Sequence, residues 1–273
     1  MSRKHNAAKQ EVTNPLYGQF DQMVDAVLSP PSKGPDMRKG GSVEVWAIPL
    51  QDIYKNDALR LDATHYDRET AEALAELKRA KCELKPLSDL ADVLLPGQFV
   101  RIWAEDQTYG LPYVNASELM SLAATGNLGS KARFLSRETE TDIDELIIRE
   151  GWLLMSCSGT IGRLFYVSER LNGWAATHDL IRIIPKKGVH MGYLHAYLCS
   201  PVAQKQILGH THGGQIDHVT HHQVGGVLVP MLPESKMLEI HQHVSKALDM
   251  REKAIATLNK VIVDLESSIE NAR

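Results

Sequence analysis

The C-terminal forty residues constrain this chain most. Between residues 234 and 272 there is neither glycine nor proline. Val244, Leu248, Arg251, Ile255, Leu258, Ile262, Leu265 and Ile269 recur there at alternating spacings of four and three. Such a repeat keeps one apolar stripe on one side of a helix and marks a seam for a second helix. A helix of about 37 residues would reach about 55 Å at 1.5 Å per residue, longer than most helices in globular proteins. The expectation is a spacer helix that pairs with another long helix, with Arg251 as the one charged residue in the seam. A helix folded back on its own domain is the alternative.

The remainder divides in two. Residues 1–44 form a polar leader. Phe20, Met23, Val24, Val27 and Leu28 have helical spacing, and a Pro/Gly/Ser linker begins at Ser29. Residues 45–233 carry short apolar runs broken by Gly, Pro and Asn, the pattern of a mixed sheet. Residues 43–48, 152–155, 164–167, 180–184 and 227–229 read as strands. Residues 68–81, 191–198 and 202–208 read as helices, the last two separated by Ser200 and Pro201. Thr220 and Gln223 have capping-box spacing. The expected fold class is α+β: one mixed-sheet domain at 45–233, followed by a long coiled-coil helix at 234–273.

Composition excludes several functions. No apolar run is long enough to span a bilayer, and the N-terminus lacks a secretory apolar segment. Cys82, Cys157 and Cys199 form no CxxC pair. A cytoplasmic protein is expected. Lys and Arg number 30 against 34 acids, a formal charge of -4, which argues against a broad phosphate footprint. The charge is uneven, however. Between residues 161 and 215 the bases are Arg163, Arg170, Arg182, Lys186, Lys187 and Lys205, against Glu169 and Asp179 alone, whereas residues 138–150 are acidic.

Two enzyme readings are open to these residues. His210, His212, His218, His221 and His222 crowd together but match no metal motif such as HExxH, and no metal is expected. Cys157 or Ser158 with His178 and Asp179 suggests hydrolysis, yet neighbouring residues on a strand point to opposite faces, and the GxSxG elbow is missing. No motif for S-adenosylmethionine is visible either.

Several segments in order carry a family signal. Gly151, Trp152, Leu153 and Leu154 precede Ser156-Cys157-Ser158-Gly159-Thr160-Ile161-Gly162-Arg163. Residues 174–183, the Tyr193-Leu194 helix, Gly213-Gly214-Gln215-Ile216-Asp217-His218-Val219 and Val229-Pro230-Met231-Leu232-Pro233 follow. Upstream stand residues 59–67 and Gly110-Leu111-Pro112-Tyr113-Val114-Asn115. From about residue 59 onward the chain resembles a specificity subunit of type I restriction–modification systems, in a half-length form with one target recognition domain and one spacer helix.

The resemblance implies a non-catalytic subunit that binds double-stranded DNA at a bipartite site. It implies an adenine-N6 methyltransferase subunit as partner, which would carry the S-adenosylmethionine, and an ATP-dependent restriction subunit as a further candidate. A second copy of this chain would join through the C-terminal helix. The candidate DNA contacts are Ser158, Thr160 and Arg163 in the glycine-bracketed turn, Thr108 and Tyr109 in a polar loop, Lys131, Arg133 and Arg137, Lys186 and Lys187, and Gln215 and His218. The alternatives are a type IIB or IIG specificity subunit, a small metal-dependent hydrolase using the His-rich turn, and a coiled-coil adaptor without DNA contact.

Overall fold

In the computed structural model the described residues are 47–54, 66, 68–125, 133–211 and 218–272. The chain divides into Met1–Arg68 and Glu69–Arg273. The leader and nearly all of residues 59–67 lie outside the described residues. Ala47 and Ile48, expected in a strand, have none, and the helix α1 (Leu50–Tyr54) follows them.

α2 (Arg68–Arg79) ends on Lys78 and Arg79, where positive charge suits the helix dipole. Then come β1 (Glu83–Pro86), α3 (Leu87–Leu90), β2 (Ala91–Leu94), β3 (Trp103–Ala104), β4 (Gly110–Val114), α4 (Ala116–Thr125), β5 (Arg133–Ser136) and α5 (Ile143–Leu146). They are followed by β6 (Leu153–Ser156), β7 (Leu164–Tyr166), β8 (Ala175–Ala176), β9 (Leu180–Pro185), α6 (Met191–Leu198), α7 (Pro201–Gly209), α8 (His221–Gly225), β10 (Leu228–Met231) and α9 (Glu234–Asn271). Ser200 caps α7 by accepting from the Ala203 N–H, with Pro201 in the first turn. The Thr220–Gln223 capping box is formed in full.

Two four-stranded sheets, ordered β2-β9-β6-β7 and β3-β5-β4-β8, stand beside a β1-β10 pair. The first sheet is antiparallel throughout; the second is mixed, because β4 and β8 run parallel. The fold is thus α+β with a long C-terminal helix. β6 is buried at every position because both faces of its sheet are covered. Leu153 and Met155, with Ile181 and Ile183 of β9, enter one core with Tyr193, Leu194 and Leu198 of α6. Leu154, Phe165 and Leu180 enter another with Leu119 and Leu122 of α4.

Arg182 breaks this apolar alternation. It is 1% exposed, and among the described residues no carboxylate comes within salt-bridge distance of it. Its Nη1 donates to the Thr177 carbonyl at 2.8 Å and also to that of Leu180. Its Nη2 donates to the Ala176 carbonyl at 2.9 Å and to that of Leu146 at 3.5 Å. Burial lowers its pKa to about 10, so it stays charged at neutral pH. This one side chain ties β9 to β8 and α5, and so joins the two larger sheets.

α9 is 38 residues long, and its seam is divided. The first half packs on this chain's own domain: Met237, Leu248 and Ile255 are buried and Val244 is half-buried. The Arg251 guanidinium stands 5.9 Å from the Phe165 ring centroid, and Glu252 pairs with Arg170 at 3.2 Å. At the helix start Glu234 meets His190 at 2.6 Å, and the His190 and His241 rings stack at 5.3 Å. Beyond Ile255 the seam is open, with Leu258 50%, Ile262 37%, Leu265 58% and Ile269 50% exposed. Among the described residues, four of the eight seam residues are therefore engaged within the chain, and the other four are not.

Candidate nucleic-acid interface

The turn between β6 and β7 is organised by Ser156. Its hydroxyl donates to the Thr160 carbonyl at 2.5 Å and accepts from the Arg163 N–H at 3.1 Å. Gly159 (φ 65°) and Gly162 (φ 82°) take the left-handed conformation that side chains resist. Gln204 of α7 braces the turn by donating to the Gly162 carbonyl at 3.0 Å and the Leu198 carbonyl at 2.7 Å. Ile161 sinks into the core, so Gly159, Thr160 and Arg163 are exposed and Ser158 is half-exposed. The sequence pattern singled out Ser158 and Thr160; the hydroxyl that closes the turn belongs to Ser156.

Two further segments reach this end of the sheet. β6 and β9 pair with Ser156 opposite Leu180, which brings residues 177–179 alongside. The Cys157 N–H donates to the Asp179 carbonyl at 3.3 Å. On the other side Val219 N–H donates to the Cys157 carbonyl at 3.0 Å, and Ser158 bridges His218. Burial, and then the nearby Asp179 carboxylate, push the Cys157 thiol up to about 11. It is thus protonated and a poor nucleophile.

Arg101 arrives from outside these segments. Its Nε donates to the Tyr113 hydroxyl at 2.8 Å and its Nη2 to the Thr177 hydroxyl at 3.2 Å. Its guanidinium lies 5.8 Å from the Phe99 ring centroid and 5.7 Å from that of Tyr113. Among the described residues no carboxylate pairs with it. The sequence reading missed Arg101, because the contact to Thr177 joins residues 76 apart.

The other candidates lie elsewhere. Lys186 follows the far end of β9, roughly 20 Å along the strand from Asp179. There it donates to the Ser88 carbonyl at 2.7 Å and stands 4.0 Å from Asp92. Lys187 is exposed beside it. Thr108 and Tyr109 are exposed in the turn before β4, where Arg137 N–H donates to the Tyr109 carbonyl at 3.3 Å. That turn lies a strand length from Val114, the residue whose carbonyl accepts from Thr177 N–H at 3.0 Å. Arg133 pairs with Glu118 at 2.6 Å and covers the Trp103 ring at 4.7 Å. Arg170 and Arg182, counted toward a basic stretch, are spent on Glu252 and on buried carbonyls. Lys131 and Gln215 lie outside the described residues, as does His212. The His221 and His222 rings lie 4.0 Å apart. Among the described residues no three metal-ligating side chains converge, and no helix is long and apolar enough to cross a membrane.

An exposed glycine-bracketed turn is thus flanked by two polar segments at one end of the β2-β9-β6-β7 sheet. Residues 81–262 match the family described as the type I restriction modification DNA specificity domain. The chain belongs to that family.

Similar solved structures include one from work on complex assembly and conformational transition of the type I R-M system (15% identity, 81% of this chain and 53% of that one, TM-score 0.45). Another is the HsdS subunit from Thermoanaerobacter tengcongensis (16%, 78% and 49%, TM-score 0.44). A third is the type I restriction-modification S subunit from M. genitalium (12%, 67% and 43%, TM-score 0.45). The chain spans about half the length of these proteins. No curated protein matches it.

Proposed function

We propose that this chain is the sequence-reading, non-catalytic subunit that directs a partner adenine-N6 methyltransferase to DNA. The exposed turn of Ser158, Thr160 and Arg163 meets the DNA together with His218 and the 177–179 segment, and side chains there read base edges in the major groove. The methyltransferase holds the S-adenosylmethionine, and an ATP-dependent restriction subunit joins the same assembly. The observation that carries this reading is the convergence of three polar segments at one end of the central sheet in a chain of the specificity-domain family. A genome-wide map of N6-methyladenine in the native host, with and without the gene, tests it. Loss of methylation at one motif is expected, and an unchanged map sinks the reading.

A second copy of the chain supplies the other half of the target. The open seam from Leu258 to Ile269 pairs antiparallel with its counterpart and sets the distance between two recognition domains. Two-fold symmetry then predicts a palindromic bipartite motif with an unread spacer. A monomer at micromolar concentration, free and in the complex, would exclude this arrangement.

A further inference from the structure

We infer that Arg101 and Asp179 together read one G·C base pair, an assignment that rests on the DNA-recognition reading above. The two side chains are joined by one hydroxyl. Arg101 Nη2 donates to Thr177 Oγ1 at 3.2 Å, and the same hydroxyl lies 3.4 Å from Asp179 Oδ2. Thr177 itself is buried, 1% exposed, so this link is fixed from below. Arg101 is exposed, and the Asp179 side chain is 44% exposed, its Oδ1 standing 3.5 Å from His178 Nε2 while Oδ2 faces the Thr177 hydroxyl. Donor and acceptor thus stand side by side at the surface, one hydroxyl apart, without closing on each other as an ion pair.

Arg101 is set in place before any ligand arrives. The Tyr113 hydroxyl fixes its Nε, and the guanidinium lies 5.8 Å and 5.7 Å from the Phe99 and Tyr113 ring centroids. Its Nη1 has no partner among the described residues. By contrast Arg133 and Arg170 are each neutralised by a glutamate. A rigid guanidinium fork held by uncharged groups suits planar, two-pronged recognition.

The surroundings favour a base over a phosphate. A phosphate site gathers positive charge, whereas here a carboxylate stands next to the arginine. The major-groove edge of a G·C pair offers two acceptors, guanine N7 and O6, and then a donor, the cytosine N4 amino group. Arg101 supplies donors for the first two and Asp179 an acceptor for the third. Ser158 and His218 border the pair through the Cys157–Asp179 hydrogen bond, so the assignment falls within the proposed interface.

The test is the N6-methyladenine map of the native host with the gene replaced by Arg101→Gln, Arg101→Lys or Asp179→Asn. Thermal melting of each purified full chain serves as the check on folding. The wild-type motif is expected to contain a G·C pair at which Arg101→Lys lowers discrimination about 10- to 100-fold, the range of one good two-pronged contact. Arg101→Gln is expected to shift preference there from G toward A, the base that Gln matches. Asp179→Asn should relax the same position, and every other position should hold. Three results would overturn the assignment: a motif unchanged in the variants, relaxation at two different positions, or a uniform loss of methylation at normal melting temperature, which marks a backbone contact. If a single variant melts early, the other two decide the matter. Deletion of the gene leaving the map unchanged would remove the DNA-recognition reading itself, a separate outcome.

Discussion

The backbone N–H of Gly192 donates to His241 Nδ1 at 3.1 Å, and a β-carbon on Gly192 would stand 2.7 Å from the His241 carbonyl oxygen. The two helices α6 and α9 therefore touch backbone to backbone at this point. Replacing Gly192 by Ala cannot be relieved by turning a side chain, because the α-carbon of His241 would lie only 2.9 Å away. Overpacking of this kind costs about 1–3 kcal/mol. The urea midpoint of Gly192→Ala should fall accordingly, and hydrogen exchange should quicken in the first half of α9.

The same contact makes the chain sensitive to acid. Burial, and then the charge of His190, hold the His241 pKa below its ordinary value; burial, and then Arg251, do the same for His195. Nδ1 of His241 accepts the Gly192 N–H, a role that requires it unprotonated. An unfolded histidine titrates near about 6.5, so in acid the unfolded chain takes up protons that the folded chain resists. The contribution of both groups is complete above that value and is lost as pH falls through the lowered folded values. The melting temperature should drop between pH 7.5 and pH 5, and His195→Gln should lessen the drop. An equal drop in the variant would remove His195 from the account.

Arg182→Met should be severe despite its similar size. It leaves the Ala176 and Thr177 carbonyls buried without donors, each worth roughly 1–3 kcal/mol. A loss of at least about 3 kcal/mol is expected in denaturant titration. Amide exchange should rise first at residues 177–179, before the core strands β6 and β9.

Leu265→Glu tests the open seam. Leu265 is 58% exposed, so the charge should change monomer stability by no more than about 0.5 kcal/mol. If copies pair through residues 258–269, sedimentation should show self-association weakened at least about 10-fold, since a buried unpaired carboxylate is costly. Unchanged association would place the pairing elsewhere.

Local patterns in the sequence were legible. α6 runs from Met191 to Leu198 as its spacing predicts, the Thr220–Gln223 cap is present, and α9 begins at Glu234 as expected. These features depend on neighbours within one turn or one strand. The site depends on long-range register, which periodicity does not encode. The β6–β9 pairing places Asp179 beside Cys157 and sends Lys186 to the opposite end of the same strand. Charge counted along the chain could not separate these two. The division of the α9 seam was hidden for a similar reason: Leu248 and Leu258 fit the repeat equally, and only the presence of α6 and β7 against the first half distinguishes them.

The grip of Arg182 is on carbonyl oxygens, which every amino acid carries. Changes of side chain at His178 or Asp179 therefore leave its handhold intact. Under the proposed function, stability is anchored in the main chain beneath and recognition in the side chains above. Such a frame lets target preference drift, or be redesigned, one position at a time without the fold having to be won again.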